Sequence, residues 1–377
     1  MNTSLNILHI IPAYKPAQHY GGPTISVSRL AEEQARNQAR VSVYTTTANG
    51  NEELDLPAAQ PIGMAGVQVW YFRRWTGDHS HFSPALMMHL WKTVRPAQVI
   101  HLHSWWNWVA FGTALICRWR RARLVVSPRG MLSPFTLKSR VRKIFQKTAG
   151  SWLLRGAVLH ATSARESREL QQLHPKNRCV VLPNCIELPA LKTQTDTVEH
   201  PVFQLLFLSR IDPKKGLDIL INALSNLEGD WQLSIAGTGP DSYASFIKKQ
   251  IATLGLQENV TWLGWVDGPE KWRLLDGSDL LVLPSHNENF ANVVLEALAL
   301  GTPVLLSDQV GLSDYVEKQN LGWVCPPKAE PLRETLQVAM AAKSARQRIR
   351  QQAPAIIRRD FDPQKLAKAY LDFYTNL

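Results

Sequence analysis

The sequence predicts an α/β protein made of two Rossmann-like domains, and three observations predict it. Short apolar runs bounded by turn residues alternate along the chain with longer segments of helical period. The alternation stops at a polar, proline-containing stretch, 186–201, and restarts with the apolar run 203–208. At 377 residues the chain also exceeds what one hydrophobic core usually supports. The expected division is a first domain at 1–185, a linker at 186–201, a second domain at 202–355 and a terminal helix at 356–377.

In the first domain, residues 5–12 form an apolar run broken by Asn6 and His9, which reads as a buried strand and not as a secretory leader. Tyr20-Gly21-Gly22-Pro23-Thr24 then leads into a helix over 25–38 and a strand over 41–45, a βαβ opening in which glycine lets a ligand approach the backbone. No G-x-G-x-x-G follows, so a dinucleotide cofactor is not expected. Residues 67–72 and 99–103 read as strands, the second ending in His101-Leu102-His103-Ser104-Trp105-Trp106. His101 and His103 share a face, yet no third ligand stands nearby in the sequence, so no metal site is expected. Trp105, Trp106 and Trp108 suit core, a sugar platform or a membrane belt. The strand at 124–127 runs into Ser127-Pro128-Arg129-Gly130-Met131-Leu132, and Ser133-Pro134 introduces a helix over 135–154. That helix mixes Val141, Ile144, Phe145 and Trp152 with Lys138, Arg140, Arg142, Lys143 and Lys147, a pattern that suits an interfacial amphipathic helix. A strand at 157–163, a helix at 166–173 and a strand at 179–182 complete the domain before Cys185.

The second domain opens with the strand 203–208 and the loop Ser209-Arg210-Ile211-Asp212-Pro213-Lys214-Lys215-Gly216. Strands follow at 233–237, 260–266, 280–283, 304–308 and 322–325. Between the last three, Pro284 ends a strand, a polar loop carries Glu288, and an apolar helix with Glu296 inside it runs to Gly301 and Pro303. Backbone N–H groups at such a helix start, here those of Phe290, Ala291 and Asn292, would make an anion seat. Glu296 stands among Val293, Val294, Leu295, Ala297 and Leu298, and a charge in such a run requires a partner.

Glu288 and Glu296, eight apart, resemble the E-x7-E motif of retaining glycosyltransferase family 4, whose members have the GT-B fold. Arg210 followed by Lys215-Gly216, the early Gly21-Gly22 turn and Gly264-Trp265-Val266 match further motifs of that family in the same order, over nearly the whole chain. The resemblance implies two domains facing across a cleft, and a last helix that crosses back to the first. It implies that Glu288 contacts the transferred sugar, that Glu296 holds the ribose, and that Asn289 to Asn292 bind the distal phosphate. Val266 would read the base, and Gly21 and Gly22 would face the donor phosphates. Arg210 and Lys215 would clamp the pyrophosphate and offset charge on the leaving group. His103 would face the acceptor side. Where many relatives carry a histidine that touches the sugar, this chain offers Arg129, and where they have Pro-Asn-Gly, it has Pro183-Asn184-Cys185.

The four cysteines show no CxxC spacing, which argues against a zinc site or a disulfide framework and fits a reducing compartment. No run of apolar residues is long enough to span a bilayer. The net charge of +11 is uneven: residues 1–185 hold 23 Lys+Arg against 8 Asp+Glu, and the remainder 19 against 23. Between Asp78 and Glu166 there are 14 cations and no carboxylate, which points to an anionic partner. A nucleic-acid role finds no recognition motif, and a non-catalytic scaffold would be expected to lose Glu288, Arg210 or Lys215, all of which are present. The expected activity is therefore retaining, metal-independent transfer of a hexose from a UDP- or GDP-sugar to a glycan on a polyprenyl pyrophosphate, without a cofactor. Its expected place is cytoplasmic, peripheral on an anionic inner membrane face, in polysaccharide biosynthesis.

Overall fold

The computed structural model describes residues 5–17, 21–95, 98–189 and 201–377. The chain forms two compact units, Met1–Glu187 together with Phe361–Leu377, and Leu188–Asp360. Most of the expected linker, 190–200, lies outside the described residues. Described residues 186 and 187 belong to the first unit and 188 and 189 to the second, so the division falls inside the expected linker.

The first unit contributes, in chain order, β1 (Asn6–Ile10), β2 (Arg40–Thr46), the small hairpin β3 (Ala48–Asn49) and β4 (Glu52–Glu53), β5 (Pro61–Met64), β6 (Val67–Phe72), β7 (Val99–His103), β8 (Arg123–Ser127), β9 (Val158–Ala161) and β10 (Cys179–Val181). Apart from the hairpin, these strands form one sheet in the order β10-β9-β8-β7-β1-β2-β6-β5. All its pairs are parallel except β5 on β6. Strands covered on both faces read as continuous apolar runs, as in Val99-Ile100-His101-Leu102-His103, whose side chains are all buried. The chain builds outward from β1 first on one side, through β2 and β6, then on the other, through β7 to β10. The switch point therefore lies between β1 and β7.

The second unit has β11 (Phe203–Leu208), β12 (Trp231–Ala236), β13 (Val260–Gly264), β14 (Leu280–Leu283), β15 (Val304–Ser307) and β16 (Gly322–Cys325). They form an all-parallel sheet in the order β13-β12-β11-β14-β15-β16, with its switch point between β11 and β14. Its core, with Leu205, Phe207, Leu220, Leu233, Ile235, Leu305 and Leu336 among its members, is separate from that of the first unit.

Two helices differ from expectation. The predicted continuous helix over 135–154 is broken into a 3-10 turn at Thr136–Lys138, a short helix Arg140–Phe145, a π turn at Gln146–Gly150 and a final turn Ser151–Leu153. The π turn carries Gln146 inward, where its Oε1 accepts from Trp105 Nε1 at 2.7 Å and its Nε2 meets His174 Nε2 at 2.9 Å. Two buried polar groups are thereby satisfied at the cost of regular geometry. The terminal helix starts at Pro363, later than expected, because Asp362 caps it by accepting from Lys365 N at 2.8 Å. Tyr370, Phe373 and Tyr374 of this helix pack with Ile7, Leu30, Val99 and Val125, so it completes the first unit's core.

Replacing Gln146 with Ala should therefore lower the unfolding free energy by roughly 2 kcal/mol, since it leaves a buried indole N–H and the His174 ring unpaired. Urea unfolding measures this, and Thr148→Ala on the exposed side of the same turn should stay within about 0.5 kcal/mol of the parent.

Candidate active site

In the second unit the site is assembled from the loops that leave the carboxyl ends of β11, β12, β14 and β15. After β11, Asp212 Oδ1 accepts from Lys214 N at 2.9 Å and holds the turn Pro213–Lys215. Gly216 follows at φ 71° and caps the helix Leu217–Leu224. A Cβ at Gly216 would stand 2.2 Å from the carbonyl oxygen of Pro284, so only glycine lets this loop lie against the end of β14. The same close approach recurs at Gly237 and Gly239, where a Cβ would meet Ser209 O at 1.9 Å and Ile211 O at 1.8 Å. The β11 and β14 loops are tied by His286 N donating to Lys214 O at 2.9 Å. Glu288 is fixed on its other side, its N–H bonding Gln309 O at 3.1 Å and its carbonyl accepting from Gly311 N at 2.8 Å.

These restraints bring Lys215 Nζ onto Glu288 Oε2 as a hydrogen-bonded ion pair. Burial alone would push the Glu288 carboxyl up, but Lys215, Lys214 and Arg210 outweigh it and hold the carboxyl below its usual value. Burial pushes Lys214 down, against the pull of Glu288 and with the repulsion of Lys215 and Arg210. One carboxylate thus stands within the field of three cations, an excess of positive charge suited to a diphosphate. Beside it Ser285 Oγ and Asn287 Oδ1 are buried with no hydrogen-bond partner among the described residues. Lys214, Ser285 and Asn287 were not singled out by sequence.

The anion seat differs from expectation. The helix begins at Asn292, and Ala291 stands before it in the left-handed region at φ 71°. Phe290, which is buried, and Ala291 therefore precede the first turn of the helix. The partner required by Glu296 is Lys271 of the helix Gly268–Asp276, at 3.0 Å, with Lys271 Nζ also 4.2 Å from the ring centroid of Trp272. Val266 is buried just past β13, whereas Trp265 is 52% exposed.

In the first unit Gly21 caps the helix Gly22–Arg36 at φ 60°, with open space where a Cβ would stand. Ser26, one turn on, accepts from Arg129 Nη1 at 3.0 Å, so the Gly-Gly turn and the β8 loop meet at this arginine. Arg129 itself lies at φ 52° and also donates to Asn184 Oδ1 at 3.0 Å. Its Nη2 is 3.3 Å from His103 Nδ1. His103, expected to face the acceptor side, is buried beneath this guanidinium. The sequence also offered no third ligand near His101 and His103. The structure corrects this: His9 of β1 is the register partner of His101 across the switch point. Ring nitrogens of His9, His101 and His103 all lie within 4.8 Å of one another.

The hydrogen bonds set the tautomers along two chains. Arg129 donates to His103 Nδ1, His103 Nε2 donates to His9 Nδ1 at 2.9 Å, and His9 Nε2 donates to Gln34 Oε1 at 2.7 Å. In the second chain Tyr374 donates to His101 Nδ1 at 2.5 Å, and His101 Nε2 donates to Ser127 Oγ at 2.6 Å. Ser127 then donates to His160 Nδ1, whose Nε2 donates to Leu182 O at 2.8 Å. All six nitrogens of the trio are engaged, and a metal ion there would displace these bonds and sit against the Arg129 charge. His9, His160, Gln34, Tyr370 and Tyr374 carried no sequence signal as a group, because four separate elements supply them. Among the tryptophans, Trp105 is core, Trp106 Nε1 donates to Met131 O at 2.6 Å, and Trp108 is exposed.

Burial holds His9 down at about 4 despite its bond to Gln34, and holds His160 at about 3. His101 and His103 are pushed well below their usual value, first by burial and then by one another and Arg129. All four are neutral at pH 7, so the acceptors that Arg129 meets in Ser26, Asn184 and His103 are neutral, and the nearby Glu166 carboxylate favours its charge. Each folded pKa lies below the unfolded value near 6.5, so the unfolded chain binds more protons between those limits and stability falls as pH falls. The unfolding free energy should therefore fall from pH 7 to pH 5, by on the order of 1 kcal/mol per histidine, and the melting temperature should drop with it. A melting temperature unchanged over that range would mean that the cluster is solvated or already charged.

Residues 20–189 match the family model described as Glycosyltransferase Family 4, and residues 193–355 the model described as Glycosyl transferases group 1. An uncharacterized glycosyltransferase of Methanocaldococcus jannaschii is 33% identical over 34% of this chain and 33% of its own length. The D-inositol 3-phosphate glycosyltransferase of Jonesia denitrificans is 27% identical over 52% of this chain and 51% of its own. The chain thus spans about a third of the first relative's length and about half of the second's. Sucrose-phosphate synthase from Thermosynechococcus elongatus superposes with a TM-score of 0.78 at 19% identity, covering 99% of this chain and 98% of that one. HepE of Anabaena, in complex with UDP and glucose, gives 0.77 at 21% identity over 99% and 100%. WaaG, a glycosyltransferase involved in lipopolysaccharide biosynthesis, gives 0.70 at 18% identity over 98% and 99%. These likenesses show the GT-B fold. Each unit thus matches a glycosyltransferase family model, on a chain with the GT-B fold.

Proposed function

We propose that the protein is a retaining glycosyltransferase that moves a hexose from a UDP- or GDP-sugar to a glycan acceptor carried on a polyprenyl pyrophosphate. The observation that carries this reading is the Lys215–Glu288 pair at the switch point of the second sheet, inside the field of Arg210 and Lys214. A departing nucleoside diphosphate develops negative charge, and preorganised cations stabilise it most where charge appears. Lys215 would exchange Glu288 for a phosphate oxygen when donor binds, which releases the carboxylate to accept from sugar hydroxyls. The buried Ser285 Oγ and Asn287 Oδ1 offer further donor-side contacts. The turn from Asn289 to Asn292 would take the distal phosphate, Glu296 would leave Lys271 for the ribose hydroxyls, and Val266 would border the base. Gly21, Gly22 and Arg129 of the first unit would serve phosphate or an anionic acceptor, with His103 acting through Arg129. The bound UDP and glucose of the HepE structure support the donor class, and the involvement of WaaG in lipopolysaccharide biosynthesis supports a glycan acceptor.

Retention follows in this reading from front-face departure, in which the leaving phosphate takes the acceptor proton. Arg210, Lys214 and Lys215 supply the charge that a metal ion would otherwise provide. Docking on an anionic inner membrane face is supported by the helix Arg140–Phe145 and the turn after it, where Arg140, Arg142, Lys143 and Lys147 are exposed beside Val141 at 76% and Ile144 at 65% exposure. No helix among the described residues is long and apolar enough to cross a membrane.

Arg210→Ala and Lys215→Ala should each lower turnover by at least about 100-fold with folding intact. Near-parental turnover in both would remove them from the site. Glu288→Gln should damage transfer more than nucleotide binding, whereas Glu296→Ala should weaken binding of the bare nucleotide. Titration calorimetry separates the two, and equal loss of nucleotide affinity in both contradicts the division of roles. Turnover should also survive EDTA. A loss that magnesium or manganese restores would overturn the assignment of charge compensation to the three cations.

A further inference from the structure

At the amino ends of β8 and β9, away from the strand ends that carry the proposed chemistry, the first unit has a pocket of about 200 Å³. Its floor is apolar, with Ala114, Cys117 and Leu153 buried, and Arg118, Arg121 and Arg155 line it. Arg118 comes from the last turn of the helix Trp108–Arg120. Arg121 follows that helix at φ 54°, and Arg155 precedes Gly156 at φ 82° on the way into β9. None of the three guanidinium groups has a carboxylate or hydrogen-bond partner among the described residues. Nor can a local one be supplied, because the sequence has no Asp or Glu between Asp78 and Glu166.

Cations at a helix C-terminus complement its dipole, which accounts for Arg118 and Arg120 but not for Arg155, delivered from another element. Arg120 has a structural task of its own: it donates to Trp91 O at 3.2 and 2.7 Å and lies 4.9 Å from that indole's centroid. Arg118, by contrast, lies 4.7 Å over the Trp152 ring and borders the pocket. Trp91, Trp119 and Trp152 are 41%, 64% and 46% exposed, and Trp91 meets Trp119 edge to face at 5.8 Å. Exposed indoles beside arginines are costly in water and settle well at the headgroup level of a bilayer.

We propose that this pocket binds the phosphate of an anionic phospholipid, with three arginines on the phosphodiester, the apolar floor against the glycerol end, and Trp91, Trp119 and Trp152 in the interface. It rests on the membrane-docked reading above but uses different residues, so the two can be separated. The test compares the full-length parent, the triple variant Arg118→Gln, Arg121→Gln, Arg155→Gln, the single variant Arg155→Gln, and the helix variant in which Arg140, Arg142, Lys143 and Lys147 become Gln. Each is sedimented with phosphatidylglycerol–phosphatidylcholine vesicles and with pure phosphatidylcholine vesicles, while tryptophan emission is recorded.

The triple variant should bind the anionic vesicles at least about 20-fold more weakly, Arg155→Gln about threefold, and the tryptophan blue shift seen with the parent should vanish. Turnover on a water-soluble acceptor should be unchanged in both, which shows that they fold. If the triple variant binds as the parent does while the helix variant releases, the pocket proposal is overturned and helix docking stands. If the parent ignores vesicles but is stabilised by millimolar inorganic phosphate, and the triple variant is not, the pocket serves a soluble phosphate and the lipid proposal is overturned together with membrane docking.

Discussion

The reversal of strand order at β1/β7 and at β11/β14 is the constraint on which the rest of the structure depends. Where a parallel sheet begins to grow the other way, the loops leaving two adjacent strands diverge to opposite faces and leave a space at the carboxyl ends. In the second unit that space receives Arg210 to Gly216 from one side and Ser285 to Asn292 from the other. In the first it receives the Gly21-Gly22 turn, His9, His103 and Arg129. Gly216, Gly237 and Gly239 let the surrounding backbone close in, since a Cβ at any of them would overlap a carbonyl oxygen.

The two switch points solve opposite electrostatic problems. In the second unit a carboxylate and several cations share a partly buried space, and the cations outweigh the cost of burying Glu288. In the first unit one guanidinium is buried among neutral acceptors, and the histidines around it are kept neutral by burial and by fixed tautomers. A single protonation in that network would place a second cation beside Arg129, so its integrity and its pH dependence have one cause. Tyr374 of the last helix donates to His101, and Tyr370 OH accepts from His160 Nε2 at 3.0 Å, which makes the last helix part of the wall behind Arg129.

Much of the fold and part of the site were legible in the sequence, and what the sequence by itself determined was whatever depends on local pattern. Apolar runs such as Leu280 to Leu283 read as strands because they are too short for a helix and are closed by a turn residue, here Pro284. The restart at Phe203 announces the second sheet, and the requirement of Glu296 for a partner follows from its apolar neighbours alone. Only the tertiary structure decided who that partner is, because Lys271 sits on a helix whose distance from Glu296 no sequence spacing encodes. It also decided that His9 joins His101 and His103, since strands adjacent in the sheet are far apart in the chain. It broke the 135–154 helix, because the buried needs of Trp105 and His174 outweigh the helical propensity around Gln146. Local periodicity reports which face of an element is buried, while the identity of its neighbours is fixed only when the sheet order closes long loops between distant segments.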